Sequence, residues 1–145
     1  MAGQPNEKSN ILIVEDDYDN QKFLQIFLQR YFNVDLSDSA DRFYELMNQK
    51  KYDLILMDIS IKGNKNGIEL IRELKSDETR KNIPVICYTA HAQHKDRINA
   101  LAAGSDVYIS KPSDIFVLLR TMMNLINKEK DKISEDFSSS NFAVA

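Results

Sequence analysis

Carboxylates, a hydroxyl and an ammonium follow short apolar runs at four places in the sequence. They are Glu15, Asp16 and Asp17 after the first of these runs, Asp58 after the second, Thr89 after the third and Lys111 after the fourth. Carboxylates that pack together repel one another, and each raises the pKa of the next, unless a cation compensates. Mg²⁺ fits such a cluster best, because it is a hard ion that accepts few carboxylates and keeps several waters. The pattern predicts a magnesium site in which Lys111 supplies a second positive charge.

The segments that must position these residues are of two kinds, short apolar runs and segments with helical spacing, which alternate along the chain. Short apolar runs at residues 11–14, 34–36, 54–57, 85–88 and 107–109 alternate with segments of helical spacing. Runs this short, apolar on both faces, are typical of parallel strands covered by helices on each side. Right-handed crossovers then give an α/β fold, a flavodoxin-like (βα)5 doubly wound sheet with strand order 2-1-3-4-5. Ligands bind such sheets at the carboxyl ends of the strands, which is where the polar residues fall.

Four segments have the i, i+3, i+4, i+7 spacing of a buried helical stripe. The stripes are Leu24, Phe27, Leu28, Tyr31; Ala40, Phe43, Tyr44, Met47; Gly67, Leu70, Ile71, Leu74; and Ile115, Leu118, Leu119, Met122, Ile126. The segment 91–103 is also predicted to be helical, with a thin stripe made chiefly of Ile98, Leu101 and Ala102. A helix with so little apolar surface is predicted to be loosely held, and Gly104 is predicted to end it.

Length and composition predict a single domain. The chain has 145 residues, of which 43% are hydrophobic and 28% charged, which suffices for one core. A net charge of −3 gives no basic face for nucleic acid. The only cysteine, Cys87, excludes an intrachain disulfide, and no apolar run is long enough to cross a membrane, so we expect a soluble cytoplasmic protein. We predict a polar lead at 1–9, the folded domain at 10–127 and a disordered tail at 128–145.

Several of these residues also have an ordinary structural interpretation. Asp17 is predicted to cap the helix that follows it, whereas Glu15 and Asp16 stay open between capping and a site role. Pro112 either begins a helix or follows a cis Lys-Pro bond. His91 and His94 are predicted to lie on a solvated surface rather than to bind a metal, and Cys87 is predicted to be a small buried hydrophobe.

Together, these motifs resemble the receiver domain of two-component response regulators, over about residues 9–127. The motifs are Ile-Leu-Ile-Val-Glu15-Asp16-Asp17, Leu-Ile-Leu-Met-Asp58-Ile, Cys-Tyr-Thr89-Ala90 and Tyr108-Ile-Ser-Lys111-Pro112. The successive intervals, from Asp16 to Asp58, from Asp58 to Thr89 and from Thr89 to Lys111, are 42, 31 and 22 residues and are similar to those of the family. One departure is the loop 59–67, which lacks the proline that many receivers have there and contains two lysines.

The resemblance implies a role for each residue of the site. Asp58 would accept the phosphoryl group, and Glu15 and Asp16 would form the acidic pair, with Asp16 as a direct metal ligand and the backbone carbonyl of Ser60 as another. Lys111 would pair with the phosphoryl group, Thr89 would bond it after transfer, and Tyr108 would be the aromatic switch. Ser60 and His91 would flank the water path and tune dephosphorylation.

The resemblance also implies partners. A histidine kinase or a histidine phosphotransfer protein would donate the phosphoryl group in the presence of Mg²⁺. The surface formed by segments 91–103, 107–109 and 115–126 would then switch for a downstream protein target or for a homodimer. Because no DNA-binding, cyclase or kinase segment follows residue 127, we expect the output to be a protein contact or onward relay of the phosphoryl group, without direct DNA binding. We also expect no membrane insertion, and no enzymatic activity beyond phosphorylation and slow dephosphorylation of the domain itself.

Two other functions stay open. A pseudo-receiver would bind its partner without phosphorylation, although no residue of the acidic cluster, Thr89 or Lys111 is missing. A metal-dependent hydrolase of the haloacid-dehalogenase or toprim type would need an Asp-x-Asp pair after a strand, whereas Ile59 and Ser60 follow Asp58.

Overall fold

A computed structural model describes residues 7–90 and 93–144, with side chains described as far as residue 132. Its five strands are β1 (Asn10–Val14), β2 (Asn33–Ser37), β3 (Leu54–Met57), β4 (Val85–Thr89) and β5 (Val107–Ser110). They are parallel and lie in the order β2-β1-β3-β4-β5. This confirms the predicted fold class and strand order, and every predicted strand boundary lies within one residue of the observed one.

Helices cover both faces of the sheet. They are α1 (Tyr18–Leu28), α2 (Ala40–Gln49), α3 (Gly67–Ser76), α4 (His94–Ala103) and α5 (Ile115–Val144). Alternate residues of the strands enter two separate apolar layers. One layer joins the sheet to α2, α3 and α4, and the other joins it to α1 and α5. The chain is therefore doubly wound, as the alternation of strands and helices predicted.

The three central strands have no solvent-facing side. Every residue of β3 and β4 is buried, and only Asn10 of β1 is partly exposed. A strand buried on both faces is rigid, because each side chain is packed by a helix layer. The carboxyl ends of these strands are therefore well-fixed supports for polar side chains.

Side-chain caps define where three of the helices begin. Asp17 accepts a hydrogen bond from Asn20 N at 2.9 Å, which confirms its predicted capping role at α1. Ser39 caps α2 in the same way. At α3, Asn66 and Glu69 form a reciprocal capping box.

Helix α4 is thinly buried as predicted, but the predicted stripe was wrong. The residues that it buries are Ala100 and Ala103, whereas Ile98 and Leu101 remain 52% and 40% exposed and Ala102 is also exposed. Small side chains lie against the core here, where α4 packs against α3 and β5. The helix begins at His94, later than the predicted 91, and residues 91 and 92 lie outside the described residues. Gly104 ends it with φ 115°, as predicted.

Helix α5 runs further than the sequence analysis indicated. A disordered tail was predicted from residue 128, whereas the described helix continues to Val144. No glycine or proline follows Pro112, so no residue of the helix-breaking types interrupts it. Despite its 30 residues, neither α5 nor any other helix of the described ranges is apolar enough to span a bilayer.

Candidate functional site

Lys111 joins two acidic side chains that come from different strands. Its Nζ lies 3.0 Å from Asp58 Oδ2 and also forms an ion pair with Glu15. The sheet sets this arrangement, because its backbone hydrogen bonds continue one residue past the strands. Asp58 N donates to Val14 O at 2.9 Å, and Lys111 N donates to Thr89 O at 2.8 Å. The predicted convergence of the ends of β1, β3 and β5 is therefore observed.

The other oxygen of Asp58 is also bonded. Oδ1 accepts a hydrogen bond from Thr89 Oγ1 at 2.8 Å and another from Ser60 N at 3.1 Å. Asp58 is only 7% exposed, and Thr89 is fully buried. The Asp58 carboxylate is thus held by a hydroxyl, a backbone amide and an ammonium, with little freedom to rotate.

Burial and charge act in opposite directions on the site. Burial raises the pKa of Glu15 above its usual range and the charge of Asp58 adds to this, although Lys111 partly offsets both. Burial by itself would lower the pKa of Lys111, but the hydrogen bond that its ammonium donates to Glu15 and the charge of Asp58 outweigh burial and raise that pKa. Lys111 therefore stays an ammonium, and it is the main cation beside these two buried carboxylates.

The predicted metal ligands are only partly assembled. Asp16 follows Glu15 and is half-buried, and Ser60 is exposed. Within the described residues, no three carboxylate, imidazole or thiolate side chains are arranged to hold a metal ion, and Glu15 and Asp58 both bond Lys111. The donor set nevertheless fits a divalent cation. Glu15 and Asp58 bond one ammonium, and Asp16 is the next residue after Glu15, so these three carboxylates exceed the ammonium by two negative charges, and all the donors are oxygens.

Other predicted residues lie around this centre. Tyr108 is 8% exposed in the layer of α2, α3 and α4, and Arg97 of α4 lies 5.8 Å from its ring centroid. His91 lies outside the described residues. Cys87 and His94 behave as predicted, the first being fully buried with its pKa raised by burial to about 12 and the second exposed. The Lys111–Pro112 bond is cis, one of the two alternatives for that proline.

The loop between β3 and α3 is tied to the start of α2. Ser39 and Lys62 form a parallel bridge, in which Ala40 N donates to Lys62 O at 3.1 Å. The two ends of the loop are joined to each other, because Gly67 N donates to Ile59 O at 2.8 Å. The loop that departs from the family pattern is therefore closed at its ends and anchored to α2 at Lys62.

Sequence reasoning missed two residues that touch the site. A Cβ on Gly67 would lie 2.0 Å from the backbone oxygen of Asp58, so only glycine fits there. The ring of Tyr88 faces Lys111, with Nζ 5.2 Å from the ring centroid. The helical spacing of Gly67 indicated burial but not this close approach, and Tyr88 was assigned only to a strand.

Comparisons with known proteins agree with this geometry. Residues 11–123 match the model of the response regulator receiver domain. Response regulator ArlR from Staphylococcus epidermidis is 32% identical over 125 residues, which cover 86% of this chain and 55% of that protein. Probable transcriptional regulator ycf29 from Porphyra purpurea is 36% identical over 121 residues, 83% of this chain and 57% of that protein. The chain thus spans a little over half the length of these curated relatives.

Solved structures give the same assignment. The receiver domain of a histidine kinase from Syntrophus aciditrophicus superposes with a TM-score of 0.77 at 26% identity, covering 83% of this chain and 91% of that one. The receiver domain of sensor histidine kinase PA1611 from Pseudomonas aeruginosa, with a magnesium ion in its active site cleft, gives 0.75 at 30% identity, covering 83% and 98%. With its fold, its strand-end site and these matches, the chain belongs to the response regulator receiver domain family of two-component systems.

Proposed function

We propose that this chain takes a phosphoryl group onto Asp58 from a phosphohistidine of a histidine kinase or phosphotransfer protein. The observation that carries the proposal is the carboxylate of Asp58, which Lys111 bonds at 3.0 Å on one oxygen and Thr89 at 2.8 Å on the other. At these distances, the Lys111 ammonium and the Thr89 hydroxyl could donate hydrogen bonds to the oxygens of a phosphoryl group instead of to the carboxylate.

The transfer balances as a substitution at phosphorus. One oxygen of Asp58 forms the new P–O bond while the P–N bond to the donor imidazole breaks, and the electron pair stays on that nitrogen, which takes a proton. The transition state is loose, so positioning and charge neutralisation matter more than covalent help. Lys111 serves both needs, because its ammonium already lies against the attacking carboxylate.

Mg²⁺ is the cofactor that the donor set fits. Glu15, Asp16, Asp58 and the backbone carbonyl of Ser60 are the groups that would hold it, with Asp16 as a direct ligand. When bound, Mg²⁺ would neutralise charge on the transferring phosphoryl group. Support comes from the excess of carboxylates over ammonium at this edge and from the magnesium-bound receiver of Pseudomonas aeruginosa.

The switch would start at Thr89. Its hydroxyl would leave Asp58 for a phosphoryl oxygen, and Tyr108 would move into the space that Thr89 vacates. The responding surface would be α4, β5 and α5, because α4 buries only two alanines and is easily displaced. Ser60 and His91 would tune the rate at which water removes the phosphoryl group.

The proposed unit of function is residues 10–127, acting in the cytoplasm. Its output would be a protein contact or a homodimer through the surface of α4, β5 and α5, without direct DNA binding or membrane insertion. Beyond its own phosphorylation and slow dephosphorylation it would have no enzymatic activity. A phosphorylation-independent pseudo-receiver is disfavoured, because Lys111 and Thr89 both bond Asp58.

The test is labelling by acetyl phosphate in the presence of Mg²⁺. The wild type should become phosphorylated, and Asp58→Asn should not, because the amide has no nucleophilic oxygen of comparable charge. Asp38→Asn, an exposed acid outside the site, is the matched control and should label like the wild type. Phosphate-affinity electrophoresis measures all three, and undiminished labelling of Asp58→Asn would refute the assignment.

A further inference from the structure

We infer that Tyr88 is a positioning residue for phosphoryl transfer, since the face of its ring holds the Lys111 ammonium against Glu15 and Asp58. This inference rests on the proposed function, because it assigns Tyr88 a role through Lys111. The tyrosine is the last residue but one of β4, directly before Thr89, and its side chain enters the layer of α1 and α5. It therefore approaches the site from the side opposite to Tyr108.

The geometry gives the ammonium three neighbours. Lys111 Nζ bonds the carboxylates of Glu15 and Asp58, and the ring centroid of Tyr88 lies 5.2 Å from the same atom. A cation at this distance from an aromatic ring is attracted by the negative face of the ring. The side chain of Lys111 is only 13% exposed, so water screens this attraction little.

The ring itself is held in place. Tyr88 is 7% exposed, and Ser113 Oγ donates a hydrogen bond to its hydroxyl oxygen at 3.2 Å. The buried body of the ring packs in the apolar layer while the hydroxyl end is tied to the segment that follows Pro112. A ring held at both ends restricts the conformations that the neighbouring Lys111 side chain can adopt.

Lys111 needs such a restraint, because its four-carbon side chain can adopt other rotamers. A groove of about 310 Å³ lies beside the ammonium, lined in part by Phe23, Leu24 and Pro112, and Tyr88 and Lys111 themselves border it. Without the ring, the stem gains rotamers that point the ammonium into this groove and away from Asp58. The proposed role of Tyr88 is to remove those rotamers.

The experiment compares Tyr88→Leu with the conservative variant Tyr88→Phe in the full chain. Phosphorylation is followed by phosphate-affinity electrophoresis at saturating Mg²⁺ with acetyl phosphate as donor. Tyr88→Phe keeps the ring face and should stay within about twofold of the wild-type rate, whereas Tyr88→Leu should be about fivefold slower. Tyr88→Met fills similar space without a ring and gives the same test if the leucine variant does not fold.

Two further measurements separate positioning from general stability. Ile126→Ala removes a buried side chain from the same apolar layer, far from the site, and should lower the melting temperature without a comparable loss of rate. In NMR spectra, the methylene protons next to the Lys111 ammonium should show a ring-current shift in the wild type and in Tyr88→Phe. That shift should be absent in Tyr88→Leu, and Lys111→Met identifies the signal by removing it.

The outcomes are distinct. A Tyr88→Leu rate within twofold of the wild type, or a Lys111 signal that Tyr88→Leu leaves in place, would overturn the positioning role while Asp58 remains the acceptor. A Tyr88→Phe variant as slow as Tyr88→Leu would also overturn it, because the hydroxyl rather than the ring would then matter. Failure of the wild type to be labelled, or labelling of Asp58→Asn, would instead overturn the proposed function.

Discussion

One carboxylate that makes no contact with the candidate site links the stability of the fold to pH. Asp35 of β2 accepts hydrogen bonds from Tyr52 at 2.7 Å and from Lys50 at 2.9 Å. Its partial burial would raise its pKa, but these two hydrogen bonds outweigh that effect and lower it. A lowered pKa in the folded state means that the carboxylate stabilises the fold above its ordinary pKa, and that this contribution disappears as pH falls through the folded value.

Asp35→Asn should therefore destabilise the protein by about 1 kcal/mol at pH 7, because the substitution removes the charged acceptor of both hydrogen bonds. The difference from the wild type should shrink as the pH falls below about 4, because the wild-type carboxyl is then protonated as well. Urea unfolding at several pH values measures this. Tyr52→Phe removes one donor and leaves the charge of Asp35, so its loss of stability should depend less on pH. A loss of stability for Asp35→Asn that is the same at all pH values would contradict the prediction.

Residue types and strand ends sufficed to predict the core of the site. Asp58 and Lys111 each follow a run of apolar residues, and parallel strands must bring such positions to one edge, so their contact was predictable. The contact between Tyr88 and Lys111 was not, because it depends on how the lysine stem bends after the strand. The periodicity of a sequence does not predict the direction of a side chain that lies beyond the end of a strand.

Among the elements, the start of α3 is the most closely fitted to the site. Gly67 begins the helix directly against the backbone of Asp58, with 2.0 Å between the Asp58 oxygen and the place of a Cβ. Gly67→Ala should move the end of β3 or the helix, lowering the free energy of unfolding by about 1–3 kcal/mol. It should also slow labelling by acetyl phosphate, because Asp58 moves relative to Lys111.

The matched control is Asn64→Ala, which changes an exposed residue of the same loop. It should leave both the stability, measured by urea unfolding, and the labelling rate near wild type. Wild-type behaviour of Gly67→Ala in both assays would mean that the contact between α3 and Asp58 does not constrain the site.

Helix α4 illustrates why a helix could be predicted and its packing face could not. The segment has helical composition, but its larger apolar residues, Ile98 and Leu101, remain exposed while Ala100 and Ala103 are buried. Hydrophobicity alone favours burying the large side chains. In α4 the small alanines are buried instead, because the helix lies close to its neighbours. How closely a helix packs depends on the tertiary structure rather than on the sequence of the segment.

For the whole molecule, the last part of α5 tests how far the folded unit extends. Ile126 is the last fully described buried residue, and side chains from 127 to 132 are exposed or only partly buried. A chain ended after Lys132 should keep its free energy of unfolding within about 0.5 kcal/mol and its labelling rate unchanged. Urea unfolding and electrophoresis measure the two quantities, and a chain ended after Thr121, which removes Met122 and Ile126 from the core, should be clearly destabilised.

The order of elements was predictable across the whole chain, whereas the end of the last helix was not. Alternating periods and crossover handedness leave few choices for five strands. For residues 128–144 the sequence offers mostly charged residues and serines, which suit both an exposed helix and a chain without structure. Composition therefore had no feature that distinguished the two outcomes.

The bonding of Asp58 has a consequence for how the molecule can signal. Each of its carboxylate oxygens already has donors, with Lys111 on one and Thr89 and Ser60 N on the other. Formation of an acyl phosphate would turn one oxygen into a bridging atom and leave the other as a neutral carbonyl, so all three donors would face a weaker acceptor at the same time. Modification of one atom would then weaken contacts on β4, on the loop after β3 and at the end of β5 together.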